Sequence, residues 1–142
     1  MPGPIPLQTH LTYGPVRSRR LGRSLGVNVL PTHYRLCSMD CIYCQYASPK
    51  DGDTGGFPSA ADVLAAVESA LEVDATCDAI TIAGNGEPTL HPQFLDIVSG
   101  LVVLRDRLAP QVKLVLLTNG TRLGHKTVQE ALRALDTPVI KL

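Results

Sequence analysis

The sequence of 142 residues predicts an α/β fold built on a parallel sheet. Short apolar runs rich in β-branched residues alternate with segments whose apolar residues recur at helical spacing, which gives the order βαβαβαβ. The run at residues 112–118 is nearly all apolar at its centre, as is typical of a strand buried on both faces of a parallel sheet. This order predicts right-handed crossovers and places ligand sites at the carboxyl ends of the strands.

The N-terminal stretch up to about Ser24 is rich in Pro, Gly and Arg and shows no sustained period. It predicts an arm or loop that packs on the main body. The first strand is predicted at residues 25–30, where a β-branched run is closed by Pro31. The predicted domains are therefore an arm at residues 1–24 and a core at residues 25–142.

The first helix follows a turn-rich linker predicted at residues 49–56. Ser59 is its predicted N-cap, and apolar residues at helical spacing predict a helix over residues 60–71. Two more strand–helix units and a last strand follow. His91 lies between the second predicted strand and the second predicted helix, and it is predicted to be a loop or cap residue. The remaining predicted strands are residues 78–83, 112–118 and 138–142, and the remaining predicted helices are residues 93–108 and 126–135.

The charge balance and the apolar runs of the chain limit the classes of function that it could have. Thirteen basic and thirteen acidic residues cancel, so no overall field attracts the chain to nucleic acid or to an anionic membrane. No apolar run approaches the roughly 18 residues of a membrane span, and the Pro-rich start lacks the apolar region of a signal peptide. We therefore expect a cytoplasmic protein without a membrane partner, in which Cys77 is buried as a small hydrophobe.

A cluster of three cysteines follows the first strand. Cys37, Cys41 and Cys44 lie within eight residues, and their soft thiolates suit an iron–sulfur cluster or zinc better than magnesium or calcium. Three cysteines leave one iron of a cubane cluster without a protein ligand, whereas a cluster used only for electron transfer usually has four. Structural zinc completed by His33 or Asp40 is the alternative.

Two motifs carry a family resemblance. Cys37-Ser-Met-Asp-Cys41-Ile-Tyr-Cys44 resembles the CxxxCxxC signature of the radical S-adenosylmethionine (SAM) superfamily, including the aromatic residue before the last cysteine. Gly84-Asn-Gly-Glu-Pro88 resembles the glycine-glutamate-proline motif at the end of the second barrel strand of those enzymes. The leader at residues 13–28 further resembles a subgroup of iron–sulfur oxidoreductases related to wybutosine-type tRNA-modifying proteins.

The resemblance implies a radical SAM oxidoreductase whose cofactors are a [4Fe-4S] cluster and SAM. Cys37, Cys41 and Cys44 would bind three irons, and the fourth iron would chelate the methionine moiety of SAM. Reduction of the cluster would then break the sulfonium C–S bond and give a 5′-deoxyadenosyl radical that abstracts a hydrogen atom from the substrate.

The resemblance also implies residues that contact SAM. Tyr43 would help to place the adenine, and its alternative role is a half-buried ring that packs the loop against the sheet. Gly84 and Gly86 let the backbone approach a ligand closely, and Glu87 would accept hydrogen bonds from the methionine ammonium group. Without the cysteines, these three residues would form only a turn with a solvated carboxylate.

Residues that end the later strands belong to the same predicted pocket. Thr118 and Asn119 would lie near the ribose or the methionine, although Asn119-Gly120 is equally well explained as turn chemistry. Lys141 on the last strand either faces this pocket or is an edge charge.

The fold implied by the resemblance is a parallel β/α partial (TIM-like) barrel, of which this chain has the N-terminal half. Radical SAM enzymes generally have about six βα units, and the sequence stops after its fourth predicted strand at Leu142. We therefore expect either a fragment or a chain whose sheet is completed by a partner or by a missing C-terminal half. The expected electron donor is a flavodoxin or a ferredoxin.

The substrate is not encoded in these motifs. A tRNA base is the first hypothesis, from the leader and from a basic patch that would contact phosphates or pair with local carboxylates. This patch consists of Arg17, Arg19, Arg20 and Arg23. The alternatives are an activase of a glycyl-radical enzyme, a non-catalytic zinc or iron–sulfur module, and an inactive truncated fragment.

Overall fold

The structure is a computed structural model that describes residues 3–47 and 55–141. Most of the predicted linker at residues 49–56 and the last residue of the predicted final strand lie outside the described residues. Within them, one sheet has five strands in the order β1-β2-β3-β4-β5. The strands are β1 (Thr12–Ser18), β2 (Gly22–Asn28), β3 (Ala79–Ala83), β4 (Lys113–Thr118) and β5 (Thr137–Ile140).

Among the described residues, three α-helices connect the parallel strands of the sheet. They are α1 (Ala60–Val73), α2 (Phe94–Leu108) and α3 (Lys126–Ala134), and a short 3-10 helix at Pro88–Leu90 precedes α2. Strands β2 to β5 pair in parallel with one another. The predicted α/β class and the order βαβαβαβ are therefore confirmed for β2 to β5, and the sheet is open rather than a closed barrel.

The predicted arm contains a strand that the sequence did not reveal. Strand β1 pairs antiparallel with β2, with a register shift between Tyr13 and Val16 where the Gly14–Pro15 peptide is cis. The ring of Tyr13 lies over Gly26 of β2, where a Cβ atom would come within 2.2 Å of the ring. The prediction of an arm or loop is therefore wrong for residues 12–18 and 22–24, because the pairing of β1 with β2 overrides their weak strand pattern.

The core lies between the sheet and the helices. Leu25, Ile80 and Leu114 are register partners on three neighbouring strands, and all three side chains are buried in the core. The predicted apolar stripes of α1 and α2 supply the other side of this core. Their buried residues are Val63, Val67 and Leu71 in α1 and Phe94, Ile97, Val98, Leu101 and Leu104 in α2.

Local side-chain chemistry sets the ends of two elements. Ser59 caps α1 as predicted, because its Oγ accepts a hydrogen bond from the Asp62 backbone N–H at 3.1 Å. Strand β2 ends at Asn28 and not at the predicted residue 30. The Asn28 side chain accepts from Leu30 N–H and donates to Leu30 C=O, both at 3.1 Å, so it takes the groups that would continue the ladder.

In the part of the chain that the structure describes, no helix is long and apolar enough to cross a membrane.

Candidate cofactor and metal site

The carboxyl ends of β2 to β5 meet at one edge of the sheet because these strands are parallel. A cavity of about 380 Å³ opens at this edge. All nine site residues predicted from the sequence line it, together with Arg35 and Lys141. The nine are Cys37, Cys41, Tyr43, Cys44, Gly84, Gly86, Glu87, Thr118 and Asn119.

Two glycines after β3 bring the cysteine loop against the strand ends. Gly84 and Gly86 both have positive φ, at +114° and +139°, which favours glycine at these positions. A Cβ atom on Gly84 would lie 2.3 Å from Asn28 Oδ1, and one on Gly86 would lie 1.7 Å from Leu36 O. In this structure, the close approach that these two glycines permit is therefore between the loop after β3 and other parts of the same chain, at Asn28 and Leu36.

Backbone hydrogen bonds fix this approach. Leu36 N–H donates to Asn85 O and Glu87 N–H donates to Leu36 O, both at 2.9 Å. Asn85 is fully buried, and its side chain bonds both backbone groups of Gln8 and the carbonyl of Pro31. The N-terminal segment, the end of β2 and the start of the cysteine loop thus share one anchor, a role of Asn85 that the sequence analysis missed.

The Glu87 carboxylate is buried and hydrogen-bonded, unlike the solvated carboxylate of a plain turn. The residue is 2% exposed. Its Oε1 accepts from Thr89 N–H at 3.3 Å, from Thr89 Oγ1 at 2.6 Å and from Thr118 Oγ1 at 2.6 Å. Its Oε2 accepts from Asn119 N–H at 2.7 Å. Glu87 therefore ties the loop after β3 to the end of β4.

Asn119 continues this connection to the first cysteine. Its Nδ2 donates to Ser38 Oγ at 3.1 Å and lies 3.7 Å from Cys37 Sγ, within range of a hydrogen bond to sulfur. Its Oδ1 accepts from Thr121 N–H and Oγ1, which is the turn chemistry that the Asn-Gly pair also predicted. Both predicted properties of Asn119, pocket lining and turn formation, occur together.

The three cysteines of the loop are free and partly exposed. Within residues 3–47 and 55–141, no three His, Cys, Asp or Glu side chains are arranged to hold one metal ion. A cubane cluster makes a different demand, since each thiolate bonds a different iron and the three sulfur atoms need not converge on one point. The three cysteines line one cavity, as residues that share a cluster must.

The residues proposed to complete a zinc site lie in other surroundings. Asp40 forms an ion pair with Arg35, with its Oδ1 at 2.9 Å from Nη1. His33 is exposed and packs edge-on against Tyr34. Neither side chain is among those that line the cavity with the three cysteines. Cys77 is 4% exposed within the hydrophobic core, as predicted, and burial raises the pKa of its thiol.

Tyr43 is an exposed ring at the mouth of the cavity. It is 61% exposed, so it is not the half-buried packing residue of the alternative prediction. A hydrogen bond to Cys41 raises the pKa of the Tyr43 hydroxyl, which places this ring beside the second cysteine.

Arg35 is a site residue that sequence reasoning missed. Its side chain is 3% exposed and lines the cavity. Burial alone would lower the pKa of its guanidinium, but the hydrogen bond to Asp40 and the nearby thiolates of Cys44 and Cys37 raise it. A charged residue two positions before the first cysteine of the loop is the sequence signal that could have drawn attention to it.

A second cavity of about 480 Å³ adjoins the first and shares Tyr43, Leu117 and Lys141 with it. It is lined both by Arg20 at the turn after β1 and by Ile140 of β5. Because β1 and β5 are the two edges of the sheet, their approach to one cavity means that the sheet curves, as a partial barrel does. Lys141 lines both cavities and is also exposed just beyond the edge strand β5, so both predicted properties apply to it.

The predicted basic patch divides into two parts. Arg23 pairs with Asp74 at 3.3 Å and also donates to Thr76 Oγ1, so it is a partner for a local carboxylate. Arg17, Arg19 and Arg20 are exposed on the β1–β2 hairpin.

The donor set fits an iron–sulfur cluster with an open iron. Of the residues that the structure describes, three with thiols and none with an imidazole line the cavity, and the fourth cysteine is buried elsewhere. The Nε of Arg35 is buried without a hydrogen-bond partner among the described residues, so a donor is in place for an added acceptor. These are the properties expected of a protein cradle for a sulfur-rich, negatively charged group.

The names of known proteins with related sequences do not indicate a substrate. A protein named GTPase Obg from Brachyspira hyodysenteriae is 32% identical over 138 residues, which are 96% of this chain and 19% of that protein. UPF0026 proteins of Synechocystis and Helicobacter pylori are 37% and 34% identical over 92% and 89% of this chain. The chain spans 47% and 40% of these two proteins, so it covers less than half the length of these relatives.

The names of these relatives do not mention wybutosine-type tRNA modification, so that subgroup remains a hypothesis. No solved structure matches the chain. The family model of the radical SAM superfamily matches residues 32–140, a range that includes the cysteine loop and the strand ends that form the cavity. The chain belongs to the radical SAM superfamily.

Proposed function

We propose that the chain binds a [4Fe-4S] cluster through Cys37, Cys41 and Cys44 and binds SAM beside it in the cavity at the carboxyl ends of the strands. The observation that carries this proposal is the convergence of the three cysteines with the glycine-glutamate loop and the end of β4 around one cavity. Family membership supports the same cofactors in general terms.

The bound cofactors would supply one reaction. Held by Cys37, Cys41 and Cys44, a reduced cluster would supply one electron to SAM, which would cleave its C5′–S bond to methionine and a 5′-deoxyadenosyl group that would take a hydrogen atom from the substrate. The electron comes from an external reduced protein, for which a flavodoxin or a ferredoxin has suitable chemistry. Free thiols need a reducing compartment, so we place this chemistry in the cytoplasm.

Glu87 has capacity left for the ammonium group of SAM. Its Oε1 already accepts three hydrogen bonds, whereas its Oε2 accepts only that from Asn119 N–H. With one hydrogen bond at Oε2 against three at Oε1, Oε2 has room for one more donor. We assign that position to the methionine ammonium, with Thr118 holding the carboxylate from the opposite side.

Tyr43 and the glycines would contact the rest of SAM. The exposed Tyr43 ring at the cavity mouth offers a flat apolar face to the adenine. Gly84 and Gly86 leave the wall of the cavity without side chains at the strand end. In this arrangement the loop glycines serve both the packing of the cysteine loop and access to the cavity.

The open edge of the sheet has apolar surface that a further polypeptide would cover. Ile140 is 46% exposed, and together with Leu117 and Val139 it lines the second cavity with apolar surface. The relatives are more than twice as long as the matched region, so we propose that a C-terminal half, or a partner that supplies one, covers this surface.

An RNA base is the proposed substrate class. Arg20 and Lys141 line the second cavity, and Arg17 and Arg19 are exposed on the same hairpin, so cations flank the site. Changing Arg17, Arg19 and Arg20 to Ser should weaken tRNA binding and reduce the salt slope of log K by about one for each phosphate that is no longer bound. The control is Arg133→Ser, which changes an exposed arginine of α3. An unchanged salt slope in the triple variant would contradict RNA as the substrate.

The proposed reaction is tested by anaerobic SAM cleavage. The chain is reconstituted with iron and sulfide, reduced with dithionite and assayed for 5′-deoxyadenosine and methionine. Wild type and Cys77→Ala should form both products, and Cys41→Ala should form neither. A cluster that forms without cleavage would indicate that the C-terminal half is required, and a chain that binds a single zinc instead would support a non-catalytic metal module.

A further inference from the structure

Arg35 is a buried arginine whose guanidinium is surrounded by acceptors of the cysteine loop. Its Nη1 donates to Asp40 Oδ1 at 2.9 Å and to Ala47 O at 3.0 Å, and its Nη2 donates to Met39 O at 2.8 Å. These acceptors lie on both sides of the last two cysteines of the loop. The guanidinium is therefore enclosed by the cysteine loop and held in one orientation.

One donor of Arg35 that these contacts leave over is its Nε–H. Its Nε is buried and has no hydrogen-bond partner within the described residues. The side chain lines the cavity together with Cys37 and Cys44. The sulfur atoms of both cysteines lie close enough to raise the pKa of the guanidinium, Cys37 also through a hydrogen bond to it, although Nε itself has no partner among the described residues. A buried donor without an acceptor costs free energy, so Nε calls for an acceptor, and the Cys37 sulfur lies nearby.

We propose that Arg35 is a positioning residue for the iron–sulfur cluster, which donates Nε–H to the cluster-bound Cys37 thiolate and stabilises the reduced cluster by its buried positive charge. This inference rests on the proposed function, since it presumes that the three cysteines hold a cluster. It adds a determinant of the reduction potential, which neither the cysteine signature nor the glycine-glutamate motif supplies.

The sign of the effect follows from charge and burial. A cluster held by thiolates becomes one charge more negative when it is reduced, so a neighbouring cation raises its reduction potential. Asp40 carries the opposite charge, but its side chain is 58% exposed whereas that of Arg35 is 3% exposed. Solvent screens the exposed carboxylate more strongly than the buried guanidinium, so the cation dominates at the cluster.

The test compares reduction potentials and not turnover. Wild type, Arg35→Gln, Arg35→Lys and Arg105→Gln are reconstituted, and the fraction of reduced cluster is measured by electron paramagnetic resonance during an anaerobic redox titration. Arg105 is the matched control, because it is a mostly buried arginine that pairs with Asp106 and Asp136 and does not line the cavity.

Arg35→Gln should lower the ratio of reduced to oxidised cluster at fixed potential about tenfold, which corresponds to about 59 mV for a one-electron couple. Arg35→Lys keeps the charge but lacks Nε, so its reduction potential should lie between those of Arg35→Gln and wild type. Arg105→Gln should match wild type. This order of potentials would support the proposal.

Equal potentials in wild type, Arg35→Gln and Arg35→Lys would overturn the inference and leave the proposed function intact. Failure of both Arg35 variants to take up iron would also overturn it, because Arg35 would then act only by building the loop. Failure of wild type itself to take up iron would overturn the proposed function and this inference together.

Discussion

Gly86 shows how a single residue holds the cysteine loop at the site. Its φ is +139°, and a Cβ atom at this position would lie 1.7 Å from Leu36 O, so there is no room for a side chain. The same glycine lines the cavity, and its close contact in this structure is with Leu36, whereas the sequence analysis predicted a close approach to a ligand. Because Leu36 immediately precedes Cys37, this contact sets where the first cysteine lies.

Gly86→Ala should therefore destabilise the fold. A strained backbone at one residue costs about 1–3 kcal/mol, and displacement of the Leu36 carbonyl also weakens its hydrogen bond from Glu87 N–H. Urea unfolding should show a fall of at least that size in the free energy of unfolding. Gly124→Ala is the control, because nothing lies within 4 Å of its Cβ position, and we expect a change within about 0.5 kcal/mol. Equal effects of the two substitutions would contradict the account.

Glu87→Gln should also destabilise the fold, although it barely changes the side-chain volume. The carboxylate accepts hydrogen bonds from three residues, and an amide NH₂ in place of one oxygen would face a donor instead. Leaving a buried polar group unsatisfied costs about 1–3 kcal/mol. Chemical denaturation measures the difference, with Glu68→Gln as the control at a more exposed carboxylate paired with Arg107. A Glu87→Gln variant as stable as wild type would show that the carboxylate network has no role in folding.

At the residue scale, composition and spacing reveal ligand types but not the contacts that place them. The three cysteines and Glu87 were predicted because thiolates and a carboxylate in such motifs are typical of cofactor-binding sites. The buried Asn85 and Arg35 were not, because their roles depend on contacts with Gln8 and Ala47 that only the folded chain creates. Hydrogen bonds between residues far apart in sequence have no local signature.

At the scale of elements, the strands and helices with strong periodicity were predicted and the edge strand was not. Helix α2 was expected at residues 93–108 and is observed at Phe94–Leu108, since a wide apolar stripe specifies its period. Strand β1 has exposed residues over its second half, so it lacks the alternation by which a half-buried strand is identified. Its hydrogen-bonded pairing with β2, and not an alternating pattern in its own sequence, makes it a strand.

His91 joins two elements and should make the stability of the fold depend on pH. Its Nε2 lies 2.7 Å from Pro58 O, ahead of α1, and its Nδ1 accepts from Gln93 N–H at the start of α2. Burial lowers the pKa of His91 below its ordinary 6.5, and the Pro58 carbonyl offsets only part of this. The unfolded chain therefore binds the proton first, and the free energy of unfolding should fall as pH drops below about 6.5.

The measurement is urea unfolding at several pH values between about 8 and 5. The decline below about pH 6.5 should shrink in His91→Gln, which has no imidazole to protonate, and should persist in His125→Gln, which changes an exposed histidine. The same decline in His91→Gln as in wild type would assign the pH dependence to other groups.

At the scale of the whole molecule, the parallel order of β2 to β5 explains why distant motifs share one site. Residues from positions 35 to 141 line the first cavity because parallel strands present their carboxyl ends at one edge. The sequence predicted this convergence from strand order alone, whereas the curvature that brings β1 and β5 to the second cavity depends on packing throughout the sheet. The chain spans less than half of its UPF0026 relatives, and the part that it spans includes the cavity at the carboxyl ends of the strands.

The most direct test of the central claim is the iron and acid-labile sulfide content of the anaerobically reconstituted chain. Wild type and Cys77→Ala should each bind about four irons and four sulfides per chain, with the broad visible absorption of a [4Fe-4S] cluster. Single Ala substitutions at Cys37, Cys41 or Cys44 should lose most of both. Iron binding that does not depend on these three cysteines, or that depends equally on Cys77, would contradict the account.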